Sequence, residues 1–447
     1  MKTGKLLGAF LVLLACACVR KEQPEPQPAL KVALSITRSG ELDSKATVKT
    51  AWASGDVVYV FFKGVGFPKY LEMKYDGTDW VPTPKNSLSG ADLSAAADQR
   101  MTAVFLPYGN ALSVQADGTF SSAYSGFFLQ AQLVGYTYDG TLHGTLDMVS
   151  PALAGGDKLI HLDVSGYTSG HLYNMYQESV KPLVCTGVSA DGSVLWAAGN
   201  AGEAVPGYES GTVLSFSGIL DASAVGVAAD YQFSLDDTSS SVLYTRDAGT
   251  KTVSRSMAIG LGDLSSALTW NANAYVDLGL PSGTLWATRN LGGSNEYDYG
   301  LYYSYGETVG YPYGSSHAFV TPPTLHLDTQ DFLLPDYDAA HVALKGLWRM
   351  PTVDDTDQLV QHTTQSFGTG GMTFTSKSSS AHIFLPAAGF ISNQTRYSDS
   401  TYGAYWTSKY KGLDYAFFLG FGSTGPHSGD NTGTYCGQSV RPVFTRP

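Results

Sequence analysis

Four Asp-Gly pairs, Asp76-Gly77, Asp117-Gly118, Asp139-Gly140 and Asp191-Gly192, punctuate the first half of this chain. They constrain its fold more than any other feature. Each provides a residue free to adopt φ > 0, which the tight turn of a β-hairpin needs and most side chains resist. Around them lie short runs of β-branched and aromatic residues: Val57 to Phe62, Thr102 to Leu106, Lys158 to Val164, Val213 to Phe216 and Ser241 to Tyr244. No stretch between Ala29 and Leu268 long enough for a substantial helix carries a 3.6-residue apolar period. Closely spaced strands joined by glycine turns predict antiparallel β-sandwiches. Two of them, over residues 31–150 and 151–269, suit the length, with a boundary near Ser150-Pro151.

The amino terminus specifies an address. Lys2 and Lys5 precede an apolar stretch from Leu6 to Val19, shorter than the roughly 20 residues needed to span a bilayer. That is the pattern of a secretory signal. Leu13-Leu14-Ala15-Cys16 resembles a bacterial lipobox, which makes 1–16 a lipoprotein signal peptide and Cys16 the lipidated residue. Cys18 fits less well, because Ala15 stands where a lipobox has leucine. In 17–30, Pro24, Pro26 and Pro28 alternate with Glu and Gln, giving an extended tether. The expected location is the outer membrane, lipid-anchored and facing outward or on pili. A net charge of -12 argues against nucleic acid as a partner. Cys185 and Cys436, in separate domains, make no disulfide framework and read as small buried hydrophobes.

Residues 270–447 hold six ordered blocks: VDLGLPSGTLWATRN from Val276, DYGLYYSYGET from Asp298, DAAHVALKGLWRMPT from Asp338, IFLPAAGF from Ile383, YGAYWTS from Tyr402 and SVRPVF from Ser439. In this order they resemble the Fibrobacter succinogenes major paralogous domain. The resemblance implies an α+β, C-type-lectin-like fold that presents a binding face and seldom performs chemistry. The fold class expected for the whole chain is therefore mainly β: two antiparallel β-sandwich domains followed by that domain. Two helices fit within it. Asp336 or Asp338 caps one through Leu344, ended by Gly346. Thr352 caps a second, with Asp355 three residues on at capping-box spacing.

A further resemblance covers the start of the chain. SKATVKTAWASGDVVYVF from Ser44, YDGTDWVP from Tyr75 and AVFLPYG from Ala103 are similar to the N-terminal half of Bacteroidetes-type fimbrillin lipoproteins. Trp52, Gly55, Asp56, Pro107 and Tyr108 occupy the positions that carry the pattern. The resemblance implies assembly with other pilus subunits by strand exchange. LKVALSITR would be the first strand and Arg38 the site of proteolytic maturation. Val440 and Val443, in SVRPVF, should complete the lectin-like sheet and leave no strand to donate, which implies a tip position.

Motifs for catalysis are missing. No serine has glycine at both -2 and +2, and no His-Glu-x-x-His occurs. GFGSTG (420–425) is followed by Pro426 and a polar stretch rather than a helix, so it reads as a loop and not as a dinucleotide site. Lectin-like relatives that oxidise cysteine use two cysteines, and this domain has only Cys436. Neither enzyme activity, cofactor nor metal is expected. Recognition remains. Of the 28 tyrosines, 15 lie in residues 270–447. Trp348 and Tyr405-Trp406 are expected in the core. Tyr397, Tyr402, Tyr410, Lys411, His427, Asp430, Asn431 and Tyr435, with Asn393 and Arg396 beside them, are expected in loops forming a ligand face for a host or bacterial surface protein or glycan. These features predict a cell-surface adhesin or pilus accessory or tip subunit. The alternative is an outer-membrane glycan-binding lipoprotein of a polysaccharide-utilisation system.

Overall fold

A computed structural model describes residues 30–38, 43–44, 52–83, 88–106, 112–153 and 155–447. The expected signal peptide, Cys16, Pro107 and Tyr108 lie outside the described residues, as does all of the expected tether except its last residue. The protein is mainly β. The runs named above form strands: Val57–Phe62, Arg100–Phe105, Lys158–Ser165, Val213–Leu220 and Val242–Thr252. All four Asp-Gly glycines take positive φ, between +88° and +110°. At Asp139-Gly140 and Asp191-Gly192 they turn the chain directly between paired strands.

The first sheet has seven strands, with Lys31–Arg38 at one edge and Trp80–Pro82 at the other. It curls until these two edges approach each other. Val58, Val60, Met101, Leu142 and Leu146 fill the concave side, together with Leu93 of the helix Gly90–Ala95. Tyr59, Phe61, Val104 and Leu106 face the other way and pack on Leu159, Leu183, Cys185 and Ile219 of the second sheet. A strand covered on both faces reads as an unbroken apolar run, as Val57–Phe62 does.

The second sheet has eight strands and the third has seven. Ile160, Leu162 and Phe216 from the second interlock with Met175, Phe233 and Leu235 from the third. The sheets are not purely antiparallel as expected. Lys31–Arg38 runs parallel to Thr141–Val149, and Lys158–Ser165 runs parallel to Met257–Asp263, which also lies parallel to Asp43–Ser44. Local hairpin signals say nothing about strands that meet after long crossovers, and parallel pairing needs such crossovers.

Pairing also runs across both expected domain divisions. Thr119–Ser125 pairs with Val180–Val188 in the second sheet. The third sheet continues from Val242–Thr252 through Asn271–Asp277 and Thr284–Ala287 to Val443–Thr445. Leu243 shares a core with Tyr275, Trp348 and Phe444. Gly346 seals this junction. It has φ +59°, and a Cβ there would stand 2.1 Å from Ser234 Oγ, so a larger residue meets both strain and a clash.

Beyond the junction, three smaller sheets and two helices form the rest of residues 270–447. Asp338 caps Ala339–Leu344, accepting from the Ala340 and His341 N–H groups. The chain leaves this helix at Lys345, already at φ +65°, one residue before the expected Gly346. Thr352 and Asp355 form the expected capping box of Val353–His362. Trp348, Tyr405 and Trp406 are fully buried.

Candidate functional site

An aromatic surface gathers from segments far apart in the chain. Arg396 lies over the ring of Tyr299 at 5.2 Å and that of Tyr313 at 4.3 Å, and its Nη2 donates to Asp399 at 2.7 Å. Burial works against this charge, but Tyr302, Asp399 and Tyr299 outweigh it and hold the guanidinium protonated. Beside it, Tyr297, Tyr299 and Phe384 wall a recess of about 370 Å³ rimmed by Asp298 and Thr369. Tyr297 is 65% exposed, Tyr313 50% and Tyr397 44%. Monomeric proteins seldom leave several large aromatics exposed together without a partner.

The surface is held rigidly from below. Asn290 Nδ2 and Ser439 Oγ both donate to the carbonyl of Tyr299, at 3.0 Å each. Tyr302 donates to the Ala388 carbonyl at 2.7 Å, and burial pushes its phenol up to about 12. Tyr311 stacks on His317 at 3.6 Å, and His317 meets Glu307 at 3.3 Å. Rigid amphipathic rings around a cation provide contact area with little ordering cost, and carbohydrate and protein ligands both use such surfaces.

The eight expected ligand residues do not form one face. Most belong to strands rather than loops. Tyr410 and Lys411 lie on Gly403–Gly412, and His427, Asp430 and Asn431 lie on Gly425–Gly433. The polar stretch after GFGSTG forms that second strand, and Ser423-Thr424 is the whole turn between Gly422 and Gly425. Phe417 pairs with Asn431 and Phe418 with Asp430. Neighbouring residues on a strand look to opposite sides, so Asp430 and Asn431 diverge. Asp430 accepts from Tyr402 at 3.5 Å, whereas Lys411 covers the Phe417 ring. Burial, then Asp430, pushes the Tyr402 phenol up to about 12. Tyr410 stacks on buried Tyr305 and is half-buried itself. Tyr435 is exposed in a turn. Only Tyr397 lies beside Arg396, on a two-stranded ribbon where it stacks on Phe390. Tyr297 and Tyr299 are new to the site, and Tyr313 joins it from the loop 310–317. The only sequence signal for Tyr297 and Tyr299 was the tyrosine density of the region.

Arg38 ends the strand Lys31–Arg38, opposite Met148, with its guanidinium 5.8 Å from the centre of the Phe127 ring. Leu34 and Ile36 of the same strand are buried. Cys185 and Cys436 are buried free thiols. Burial pushes Cys185 up to about 12 and raises Cys436, which suppresses thiolate chemistry.

No protein-family model matches the chain, and no curated protein matches it. Solved structures resemble it loosely. A candidate cell adhesion protein from Bacteroides ovatus has a TM-score of 0.27 and 11% identity, over 54% of this chain and 94% of that one. A second, from Bacteroides uniformis, has a TM-score of 0.26 and 10% identity, over 49% and 90%. A fimbrial protein from Bacteroides ovatus spans 93% of this chain and 99% of its own length, at a TM-score of 0.20 and 8% identity. Likeness at this level assigns neither family nor function.

Proposed function

We propose that this protein is a cell-surface adhesin or pilus accessory subunit whose residues 270–447 form a lectin-like ligand-binding domain. The observation that carries the proposal is the group of Tyr299 and Tyr313 on Arg396, with Tyr297 beside Tyr299 and both Tyr297 and Tyr313 exposed. A lectin-like arrangement is supported by closure of this region on itself. Its early strand Thr284–Ala287 pairs with its late strand Val443–Thr445. Strand exchange with other subunits is supported by Lys31–Arg38, an edge strand with an apolar inner side. Lipid at Cys16 would tether the protein to the outer membrane. The partner is a host or bacterial surface protein or glycan.

The test uses the exposed rings. Replacing Tyr297 and Tyr313 together with alanine should reduce adhesion of cells displaying the protein. Stability should change by less than about 0.5 kcal/mol per site, because both rings are exposed. Undiminished adhesion with a normal melting temperature would remove this surface from the function.

A further inference from the structure

We propose that a cleft between the second and third sheets' far end and the helix Ala339–Leu344 binds a saccharide carrying a carboxylate. This site is separate from the aromatic surface around Arg396. It lies where residues 264–273, the strand Val242–Thr252 and the end of that helix meet, and it encloses about 640 Å³. A second recess of about 220 Å³ shares Asn273, Arg289 and Leu344 with it. Arg289 thus stands between two connected hollows. The larger volume falls within the range of roughly 300–1,000 Å³ usual for small-ligand sites.

The lining specifies the chemistry. Arg289 is half-buried, and its one hydrogen bond among the described residues is long: Nη2 donates to Asn273 Oδ1 at 3.4 Å. Among the described residues no carboxylate pairs with it. Asp263, beside the cavity wall, is engaged by the Ser265 N–H and hydroxyl. In a chain of net charge -12, a guanidinium without a carboxylate in a concave site is a receptor for an anion. The anion's surroundings suit a sugar. Asn271, Asn273, Thr168 and Ser265 offer amides and hydroxyls to a polyol. Tyr244, half-buried, offers a ring to the apolar face of a pyranose. A carboxylate on Arg289 with the sugar ring against Tyr244 uses these groups at once. A neutral sugar leaves the guanidinium unused, and a bare anion leaves the amides and the ring unused.

Calorimetric titration of the purified full chain tests this with four probes: sialyllactose, a glucuronate-terminated disaccharide, lactose and lactose sulfate. Binding of the two carboxylated sugars, with no binding of lactose, is the expected result. Arg289→Gln should weaken that binding by about tenfold to a hundredfold, the usual loss for a hydrogen bond to a charged group. Arg289→Lys should recover part of it, since charge remains but the two-pronged geometry is lost. Neither variant should shift the melting temperature, given the single long bond that Arg289 makes. Equal binding of lactose, undiminished binding by Arg289→Gln, or no binding of either carboxylated sugar would overturn the proposal. Preference for lactose sulfate would overturn its carboxylate specificity.

Discussion

At the scale of single residues, the least replaceable side chain is Arg441. It is fully buried, and it donates to Asn290 Oδ1, the Ala287 carbonyl and the Phe384 carbonyl at 2.8–3.0 Å. Burial pulls its guanidinium down to about 10. The same Asn290 holds the Tyr299 carbonyl, so this arginine indirectly positions the aromatic surface. Arg441→Met should destabilise the protein by about 3 kcal/mol, because three acceptors are left buried and unpaired. Arg441→Lys should rescue little, since one ammonium cannot reach three divergent acceptors. Urea melts of both variants check this. Asp355 carries a pH dependence. Burial pulls its carboxyl upward, but Arg349 at 2.6 Å, with Thr284 and Thr352, outweighs that and holds it below its ordinary 3.8. A depressed carboxyl contributes stability that is complete above the unfolded value and lost as pH falls through the folded one. Asp355→Asn should therefore cost about 2 kcal/mol at neutral pH, less than a fully enclosed pair because Arg349 reaches solvent. It should also flatten the acid limb below about pH 4 in melts run as a pH series.

At the scale of elements, caps and edges matter most. Thr352 anchors the box that starts Val353–His362, and Leu359 of that helix lies in the core with Trp286 and Phe421. Thr352→Ala should cost about 1 kcal/mol by thermal melting. Among the described residues, the strand Lys31–Arg38 is attached on one side only, parallel to Thr141–Val149. Its Leu34 and Ile36 cover Leu142 and Leu146 in one cluster. Proteolysis after Arg38 should therefore leave an apolar groove that accepts a synthetic LKVALSITR peptide in trans. Ile36→Asp in that peptide should abolish the uptake, measured by fluorescence anisotropy. The packing of Arg38 on Phe127 predicts that cleavage is slow until this end of the strand frays.

At the scale of the whole molecule, the third sheet joins residues that the chain order separates. Asn271–Asp277 pairs with Val242–Thr252, so a fragment beginning at residue 270 bares a long strand edge. Arg446 would also lose Asp236, which it meets at 2.7 Å across the same junction. The fragment 270–447 should accordingly self-associate and melt below the fragment 151–447, which should unfold in one transition. Size-exclusion chromatography and scanning calorimetry test this. Two independent transitions in 151–447 would show that the shared sheet does not couple the regions.

The elements were legible in the sequence because their causes are local. An Asp-Gly pair makes its turn wherever the strands go, and Thr352 with Asp355 caps a helix through groups three residues apart. The burial of Trp348, Tyr405 and Trp406 was expected from the resemblance, because all three lie inside its ordered blocks. The aromatic surface could not be read the same way. Tyr299, Tyr313 and Arg396 meet only after the chain has folded back across some eighty to a hundred positions, and no periodicity encodes such a meeting. The expected ligand residues do not share one face, because one strand register sends Asp430 and Asn431 to opposite sides. Sequence alone determined that this chain is built of short strands with glycine turns, and that residues 270–447 carry two capped helices. Tertiary structure alone decided which strands lie parallel, that one sheet spans two regions, and which tyrosines face solvent together. Those outcomes depend on contacts between distant residues, whose energies are summed only in the folded state.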